Sequence, residues 1–349
     1  MTDQRSAKRY FAAANTHEGF ISFFNDIFFG KKIEKRYIIK GGPGTGKSSF
    51  LRRIALDAHK HNRDVEYYYC SSDTDSLDGI VIDGSIALFD GTYPHSYDTV
   101  LPGAVDEIIN LGDFWDVESL QKNKSEIHRL SIQKSNAYAY AYGYLRAAGE
   151  LERTIESVIE PCVKTEKMRS AVTRMISKLG IRGNKGERQL RQTSALGIKG
   201  HVRFNTLEIN AKQKFYVEDY YGTASRFLEE FANMAIAAGA RVDISLDVPF
   251  TKRISELYLP DTDYYFRATD KCQEDALIIN MKRFIDTDAL ADVRFSYRTA
   301  KQAKDKITDL ASQSLVNAGE IHSKIEGFYV SSMDFSRLKA FCTQFSQKL

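Results

Sequence analysis

The sequence predicts an α/β protein made of two similar halves, each a parallel sheet flanked by helices and followed by a helical extension. Three observations support this fold class: a strand, glycine-rich loop and helix in succession near the start, an internal repeat, and two long stretches with helical periodicity. The length of 349 residues is typical of two domains.

The strongest local pattern begins with the β-prone run at 37–39 and ends in a helix with an apolar face at 50–58. Between them, residues 41–48 satisfy G-x-x-x-x-G-K-[ST], the P-loop pattern. Glycine amides and the helix N-terminus can cradle phosphates, Lys47 can reach the β and γ phosphates, and Ser48 can bind Mg²⁺. The predicted nucleotide-binding residues are Gly41, Gly42, Pro43, Gly44, Thr45, Gly46, Lys47, Ser48 and Ser49.

A nucleotide site of this kind also needs a carboxylate for the metal, at the end of a strand beside the loop. Asp90, which ends the apolar run 86–89, is the first choice and is predicted to bind Mg²⁺ with Ser48. Asp73 follows the strand predicted at 65–69 and is a candidate catalytic partner, whereas Asp83 stands in a hairpin-like turn. His95 could contact the γ phosphate or position a water. The predicted catalytic residues are therefore Lys47, Asp73, Asp90 and His95.

The sequence repeats itself. A shift of 170 residues places 108–120 on 278–290 with six of thirteen positions identical, and a shift of 177 relates segments further upstream. Opposite the P-loop the repeat has Asp219-Tyr-Tyr-Gly222 and no lysine, and opposite Asp90 it has Arg267. The sequence therefore predicts one competent site and a degenerate second half, which could supply an arginine to the γ phosphate; the candidates are Arg226, Arg267 and Arg294.

The predicted organisation is an active half at 1–178 with a helical extension at about 118–178, a linker at 179–203, and a degenerate half at 204–349. The linker is basic and contains several glycines, which is typical of a mobile segment; a phosphate-binding lid or a nucleic-acid contact is the alternative. Near the start, Asn15 followed by Glu18 indicates a capped helix N-terminus.

Composition limits the classes of partner and compartment. With 49 Lys and Arg against 46 Asp and Glu, the net charge of +3 argues against a nucleic-acid-binding protein. The four cysteines are far apart and form no metal-type pair, and no signal peptide or membrane span is predicted, so we expect a soluble cytoplasmic protein. The cysteines are Cys70, Cys162, Cys272 and Cys342.

Several motifs resemble a poorly characterised bacterial family of predicted ATPases with two tandem P-loop NTPase halves. The motifs are N-T-x-E-G-F-x-S-F at 15–23, K-G-G-P-G-T-G-K-S at 40–48, C-S-S-D-x-D-S-L-D-G at 70–79, D-G-T-x-P-H at 90–95 and P-G-A-V-D-E-I-I-N-L-G at 102–112. The resemblance covers the first half closely and the second weakly. It implies a phosphate loop in each half, and this sequence departs from that pattern in the second.

The expected function is Mg²⁺-dependent ATP hydrolysis at one site in the first half. Two alternatives use the same site: a small-molecule kinase, whose acceptor would bind at the helical stretch, and a nucleotide-gated interaction protein with a protein partner and little hydrolysis. The sequence predicts neither the acceptor, the protein partner nor the oligomeric state.

Overall fold

A computed structural model describes residues 8–93, 95–209, 211–251, 253–270 and 277–348. Cys272 lies outside these residues. The architecture is α/β, with two six-stranded sheets flanked by helices.

The first half contains eight strands and the helices that cover them. Its sheet has the order β1-β5-β6-β7-β4-β8, in which β6 runs antiparallel to both of its neighbours. The sheet is therefore mixed, and the prediction of a parallel sheet was wrong, because the tight turn at Asp83 and Gly84, both with positive φ, joins β6 and β7 as a hairpin. The elements are β1 (Lys8–Phe11), β2 (Ala13–Thr16), β3 (Gly19–Ser22), α1 (Phe24–Phe28), β4 (Lys35–Lys40), α2 (Lys47–Lys60), β5 (Val65–Tyr69), β6 (Leu77–Ile82), β7 (Ile86–Asp90), β8 (Asp106–Asn110), α3 (Val117–Lys122), α4 (Lys124–Ile159) and α5 (Thr165–Lys178).

The second half repeats this arrangement strand for strand. Its sheet has the order β9-β13-β14-β15-β12-β16, with β14 antiparallel to its neighbours in the position of β6. The elements are β9 (Glu187–Leu190), β10 (Ser194–Gly197), β11 (Gly200–Arg203), α6 (Thr206–Ile209), β12 (Gln213–Glu218), α7 (Ala224–Ala237), β13 (Arg241–Leu246), β14 (Ile254–Leu259), β15 (Tyr264–Thr269), β16 (Leu277–Asn280), α8 (Thr287–Ser331) and α9 (Phe335–Ser346). Equal strand order and direction in both sheets support the repeat seen in the sequence. Short 3-10 helices lie at Leu111–Phe114, Glu160–Cys162 and Met281–Phe284.

The two longest helices, α4 with 36 residues and α8 with 45, pack against each other and run antiparallel. Lys134 of α4 contacts His322 of α8, and Glu152, further along α4, contacts Lys304, earlier in α8. At 1.5 Å per residue they are about 54 and 68 Å long. Both stretches were predicted to be helical.

Among the described residues no helix combines the length and apolar character needed to cross a bilayer.

The last helix of each half packs on the core of the other half. Helix α5 packs on the core of the second half through Met168 and Val172, and α9 packs on the core of the first through Leu338 and Phe345. Two isolated bridges hold the crossing segments: Trp115 pairs with Met333, and Val163 pairs with Ile285. The two halves are therefore interlocked.

Two local predictions were wrong. The segment predicted as a linker at 179–203 contains β9, which joins the second sheet beside β13, and the β10–β11 hairpin. The predicted helix start at Asn15 is instead the β2–β3 hairpin, in which Gly19 takes a φ of 111°. Asn15 is buried and donates its side-chain amide to the Leu196 carbonyl, so a tertiary contact has taken the place of a helix cap.

We predict that the first half depends on α9 for stability. Phe345 is buried, with its ring centroid 5.0 Å from that of Tyr37 and 5.4 Å from that of Phe50. Phe345→Ala should lower the free energy of unfolding by about 3 kcal/mol or more, because it leaves a cavity between sheet and helix. Phe295→Ala on α8 is the control, since Phe295 is 80% exposed. Urea unfolding measures both, and equal effects would refute the role given to α9.

Candidate functional site

The glycine-rich loop at 41–48 joins β4 to α2 in the first half. Gly44 and Gly46 have φ angles of 69° and 84°, a conformation that L side chains rarely adopt, so glycine is required at both positions. Lys47 begins α2 and folds back over the loop: its Nζ donates to the carbonyls of Gly41 at 2.9 Å and Gly42 at 2.7 Å. The loop thus places an ammonium group beside the free amides of a 14-residue helix N-terminus.

The structure brings Asp90 and Lys47 together. Strand β7 lies beside β4, with Asp90 in register with Ile39, so the carboxylate emerges next to the start of the loop. Its Oδ2 is 3.4 Å from Lys47 Nζ, and its Oδ1 accepts a hydrogen bond from the Thr92 amide. Thr92 in turn donates its hydroxyl to the Gly41 carbonyl, which fixes the loop to the strand end.

Ser48 and Asp73 lie nearby with their side chains engaged locally. Ser48 Oγ accepts a hydrogen bond from the Leu77 amide at 3.1 Å, which ties α2 to the start of β6. Both Asp73 carboxylate oxygens accept hydrogen bonds within their own loop, from the Asp75 amide and the Ser76 hydroxyl. Asp83 lies at the opposite end of β6 and pairs with Arg63, so it is not part of the site.

His95 is buried and stacks on Phe24, with ring centroids 4.2 Å apart. Its Nε2 lies 3.6 Å from Asp78 Oδ2. Burial lowers the pKa of His95 to about 4, and burial together with the negative charge of Asp90 raises the pKa of Asp78 to about 8. The contact at neutral pH therefore joins a neutral imidazole to a protonated carboxyl group and is not an ion pair, although its geometry resembles one.

Asp78 is the site residue that the sequence reasoning missed. It lies in the fully buried strand β6, within interaction range of Asp90, Lys47 and Cys70. The signal was an acidic residue inside the run Leu-Asp-Gly-Ile-Val-Ile, because an ionisable residue in a buried strand needs a polar or functional partner.

The end of α8 covers the loop. A Cβ atom added to Gly42 would lie 2.8 Å from the Tyr329 ring, and one added to Gly44 would lie 2.8 Å from the Glu326 carbonyl oxygen. At Gly46 the nearest atom would belong to Leu338 of α9, at 3.0 Å. Helices of the second half thus pack directly on the backbone of the loop.

Charged side chains from both long helices stand over the loop. The Glu326 carboxylate interacts with the Gly44 amide, and its pKa is raised by burial and by the charge of Asp73. Lys134 Nζ is 3.4 Å from His322 Nδ1, and burial and the Lys134 charge lower the pKa of His322 to about 4. The Glu326 carboxylate therefore lies just before the N-terminus of α2, where a bound anion such as a phosphate would lie.

The prediction of an arginine donated by the second half was wrong for the three candidates. Arg226 lies in the first turn of α7, 3.7 Å from Glu160, and Arg267 lines a cavity of the second half. Arg294 is exposed near the start of α8, more than thirty residues before Glu326. Lys134 of α4 lies near the loop, where its charge acts on Glu326.

The corresponding loop of the second half has no lysine and carries an aspartate at its start. Asp219 stands where the loop would begin, and its carboxylate accepts hydrogen bonds from the amides of Gly222 at 2.8 Å and Ala224 at 2.7 Å. In the second half, Ala268 pairs with Val217 as Asp90 pairs with Ile39 in the first half. The residue in place of Asp90 is therefore Ala268 and not Arg267.

In the described part of the chain, no group of three or more His, Cys, Asp or Glu side chains is arranged to hold a metal.

We predict a loss of stability above pH 6.5 that depends on Asp78. Its folded pKa of about 8 lies above the ordinary value of 3.8, so the folded state binds the proton more tightly and the free energy of unfolding falls as pH rises from 4 to 8. His95 acts in the opposite direction, but only between pH 4 and 6.5. From pH 6.5 to 8 the wild-type protein should lose on the order of 1–2 kcal/mol.

Asp78→Asn should flatten this part of the profile, and urea unfolding at a series of pH values measures it. Asp75→Asn, at a side chain that is 75% exposed, is the control and should keep the wild-type slope. A wild-type slope in Asp78→Asn would contradict the assignment.

Comparison with known proteins adds no assignment: no protein-family model, curated protein or solved structure matches the chain. The function is therefore argued from the residues of the site.

Proposed function

We propose that the chain binds a nucleoside triphosphate, most simply ATP, at the glycine-rich loop and hydrolyses it with Mg²⁺. The observation that carries the proposal is the position of Lys47, at the N-terminus of α2, folded over the loop and 3.4 Å from Asp90. A lysine, a set of amides and a carboxylate at one strand edge are the groups that phosphoryl transfer requires.

The amides of the loop and of the first turn of α2 would bind the β and γ phosphates, because they point out of a helix N-terminus with its partial positive charge. Lys47 would exchange its two carbonyl partners for phosphate oxygens. Phosphate oxygens are negatively charged, so they are stronger acceptors for the ammonium group than the two neutral carbonyls are.

Ser48 and Asp90 would hold Mg²⁺, since a hydroxyl and a carboxylate are oxygen ligands of the type this ion prefers. When bound, Mg²⁺ neutralises negative charge on the phosphate oxygens. Near Asp90, His95 presents a neutral ring whose buried Nδ1 has no hydrogen-bond partner within the described structure. We assign His95 to accepting the proton from the attacking water, Asp78 to holding the imidazole ring from its Nε2 side, and Asp73 to holding the loop after β5.

We expect a cytoplasmic location. Cys70, Cys162 and Cys342 are free thiols in the described structure, and free thiols suit a reducing compartment.

Lys47→Ala should abolish nucleotide hydrolysis, with a loss of about 100-fold or more, because it removes the charge that contacts the transferred phosphoryl group. Phosphate release from ATP with Mg²⁺ measures the effect. Lys60→Ala removes a lysine from the other end of the same helix, where the side chain is 65% exposed, and should leave the rate unchanged. Equal rates in the wild type and Lys47→Ala would refute the proposed site.

The packing of α8 on the loop favours a second candidate, a nucleotide-gated interaction protein. Tyr329 and Glu326 contact Gly42 and Gly44, so phosphates that approach these glycines must displace the end of α8. Because α8 is paired with α4 along its length, this displacement would be transmitted to both long helices. Binding with negligible hydrolysis would favour this candidate.

Glu326→Gln should tighten nucleotide binding by about five- to tenfold, because it removes a negative charge from the phosphate-binding region. Titration with a fluorescent ATP analogue measures the affinity of each variant. Glu320→Gln, at an exposed position of the same helix, is the matched control and should bind like the wild type. Unchanged or weaker binding by Glu326→Gln would show that Glu326 does not compete with the nucleotide.

A further inference from the structure

The second half contains a polar cavity of about 340 Å³ where the first half has its glycine-rich loop. It lies at the ends of β12, β13 and β15, which contribute Asp219, Asp247 and Asp270, and the β10–β11 hairpin forms another wall with Arg203. Its volume is at the lower end of the roughly 300–1,000 Å³ of small-molecule pockets. A ligand of amino-acid size fits such a cavity better than a nucleotide does.

The cavity has no place for a phosphate at the N-terminus of α7. Both Asp219 oxygens already accept hydrogen bonds from amides of this turn, Gly222 and Ala224. An incoming phosphate would meet a carboxylate that belongs to the loop itself and is already bound to its amides. The anionic group of a ligand must therefore bind elsewhere in the cavity.

Arg267 is the cation of the cavity wall that remains available. Arg203 is bound to Glu256 and Glu208, and Arg253 is bound to Glu152, Ser225 and the Gly222 carbonyl. Arg267 forms no hydrogen bond or ion pair with any residue that the structure describes, and it acts on Glu256 and Glu208 through its charge alone. A guanidinium group in this setting suits a carboxylate, which it can bind through two parallel hydrogen bonds.

Acceptors without full partners lie around the same cavity. Glu256 is directly opposite Arg267 across the β14–β15 ladder, is 1% exposed, and has an Oε2 atom with no hydrogen-bond partner among the described residues. Asp247 has Arg253 as its ion-pair partner, at a long distance of 3.7 Å. A buried carboxylate oxygen without a donor is costly, so a ligand that supplies N–H groups would be stabilised here.

We propose that this cavity binds a small zwitterion of the basic amino-acid class, whose carboxylate pairs with Arg267 and whose protonated amino groups donate to Glu256 and Asp247. One available guanidinium and several under-used carboxylate oxygens match a ligand with one negative and two positive groups. The second half thus has a binding site of its own, with a ligand different from that of the first half.

Isothermal titration of the full chain with L-arginine, L-lysine and L-ornithine tests the proposal. At least one of them should bind with a Kd below about 1 mM, whereas putrescine and succinate, which carry only one kind of charge, should bind at least about tenfold more weakly. No saturable binding by the three amino acids, or equal binding by succinate, would overturn it.

Variants locate the binding. Arg267→Met and Asp247→Asn should each weaken the affinity for the bound amino acid by about tenfold or more, because each leaves a charged ligand group unpaired. Arg294→Ala, at an exposed arginine of α8, is the matched control and should bind like the wild type. Unchanged binding by Arg267→Met would place the ligand elsewhere and overturn the proposal.

A second variant covers the case in which a change on the buried strand prevents folding. Asp270→Asn changes an exposed carboxylate at the cavity wall, where folding is not at risk. It should weaken amino-acid binding at least threefold and lose most of that effect in high salt, since the carboxylate acts on the ligand through charge. Binding equal to that of the wild type at low salt would count against the cavity as the site.

Discussion

The antiparallel pairing of α4 and α8 is the interaction on which the rest of the structure depends. Small residues allow the close approach: Ala137, Ala141, Ala311 and Ala318 are all buried at this pairing. Since the helices run in opposite directions, each leaves its own half and ends on the other half's loop. The exchange of α5 and α9 follows, because each chain segment continues from a helix that has already crossed. The two halves therefore cannot be separated without breaking both cores.

The two ends of the α4–α8 pair lie against loops that differ in their charged residues. At one end, α8 covers a glycine-rich loop and brings Glu326 and His322 to it, beside Lys134 of α4. At the other end, α4 reaches the second half, where Glu152 binds Arg253 and Lys304. In the first half the carboxylate near the helix N-terminus comes from a different helix and could move away. In the second it is Asp219, on the loop itself, so the position is permanently filled.

Sequence reasoning was successful where local pattern determines structure. Periodicity and strand-end geometry predicted the strand before the loop, the α2 helix with its buried Phe50, Leu51 and Ile54, and the place of Asp90 at a strand end beside the loop. It failed where tertiary contacts decide. The segment at 179–203 is basic and contains several glycines, yet its β9 is an edge strand paired with β13, and no local sequence pattern predicts that pairing. Asp78 was missed because its pKa depends on burial beside Asp90, which residue spacing does not show.

The packing of α8 also changes what the glycines of the loop mean. Gly44 needs glycine for its positive φ, and both Gly42 and Gly44 need it because a Cβ atom would collide with Tyr329 or with the α8 backbone. Both constraints would apply if no phosphate ever bound there. The glycines therefore serve helix packing as well as any ligand, and they cannot by themselves identify a nucleotide site. Lys47 is different: a lysine folded over carbonyls beside a carboxylate has no packing role that an uncharged side chain could not fill, so the chemical argument depends on Lys47 and Asp90.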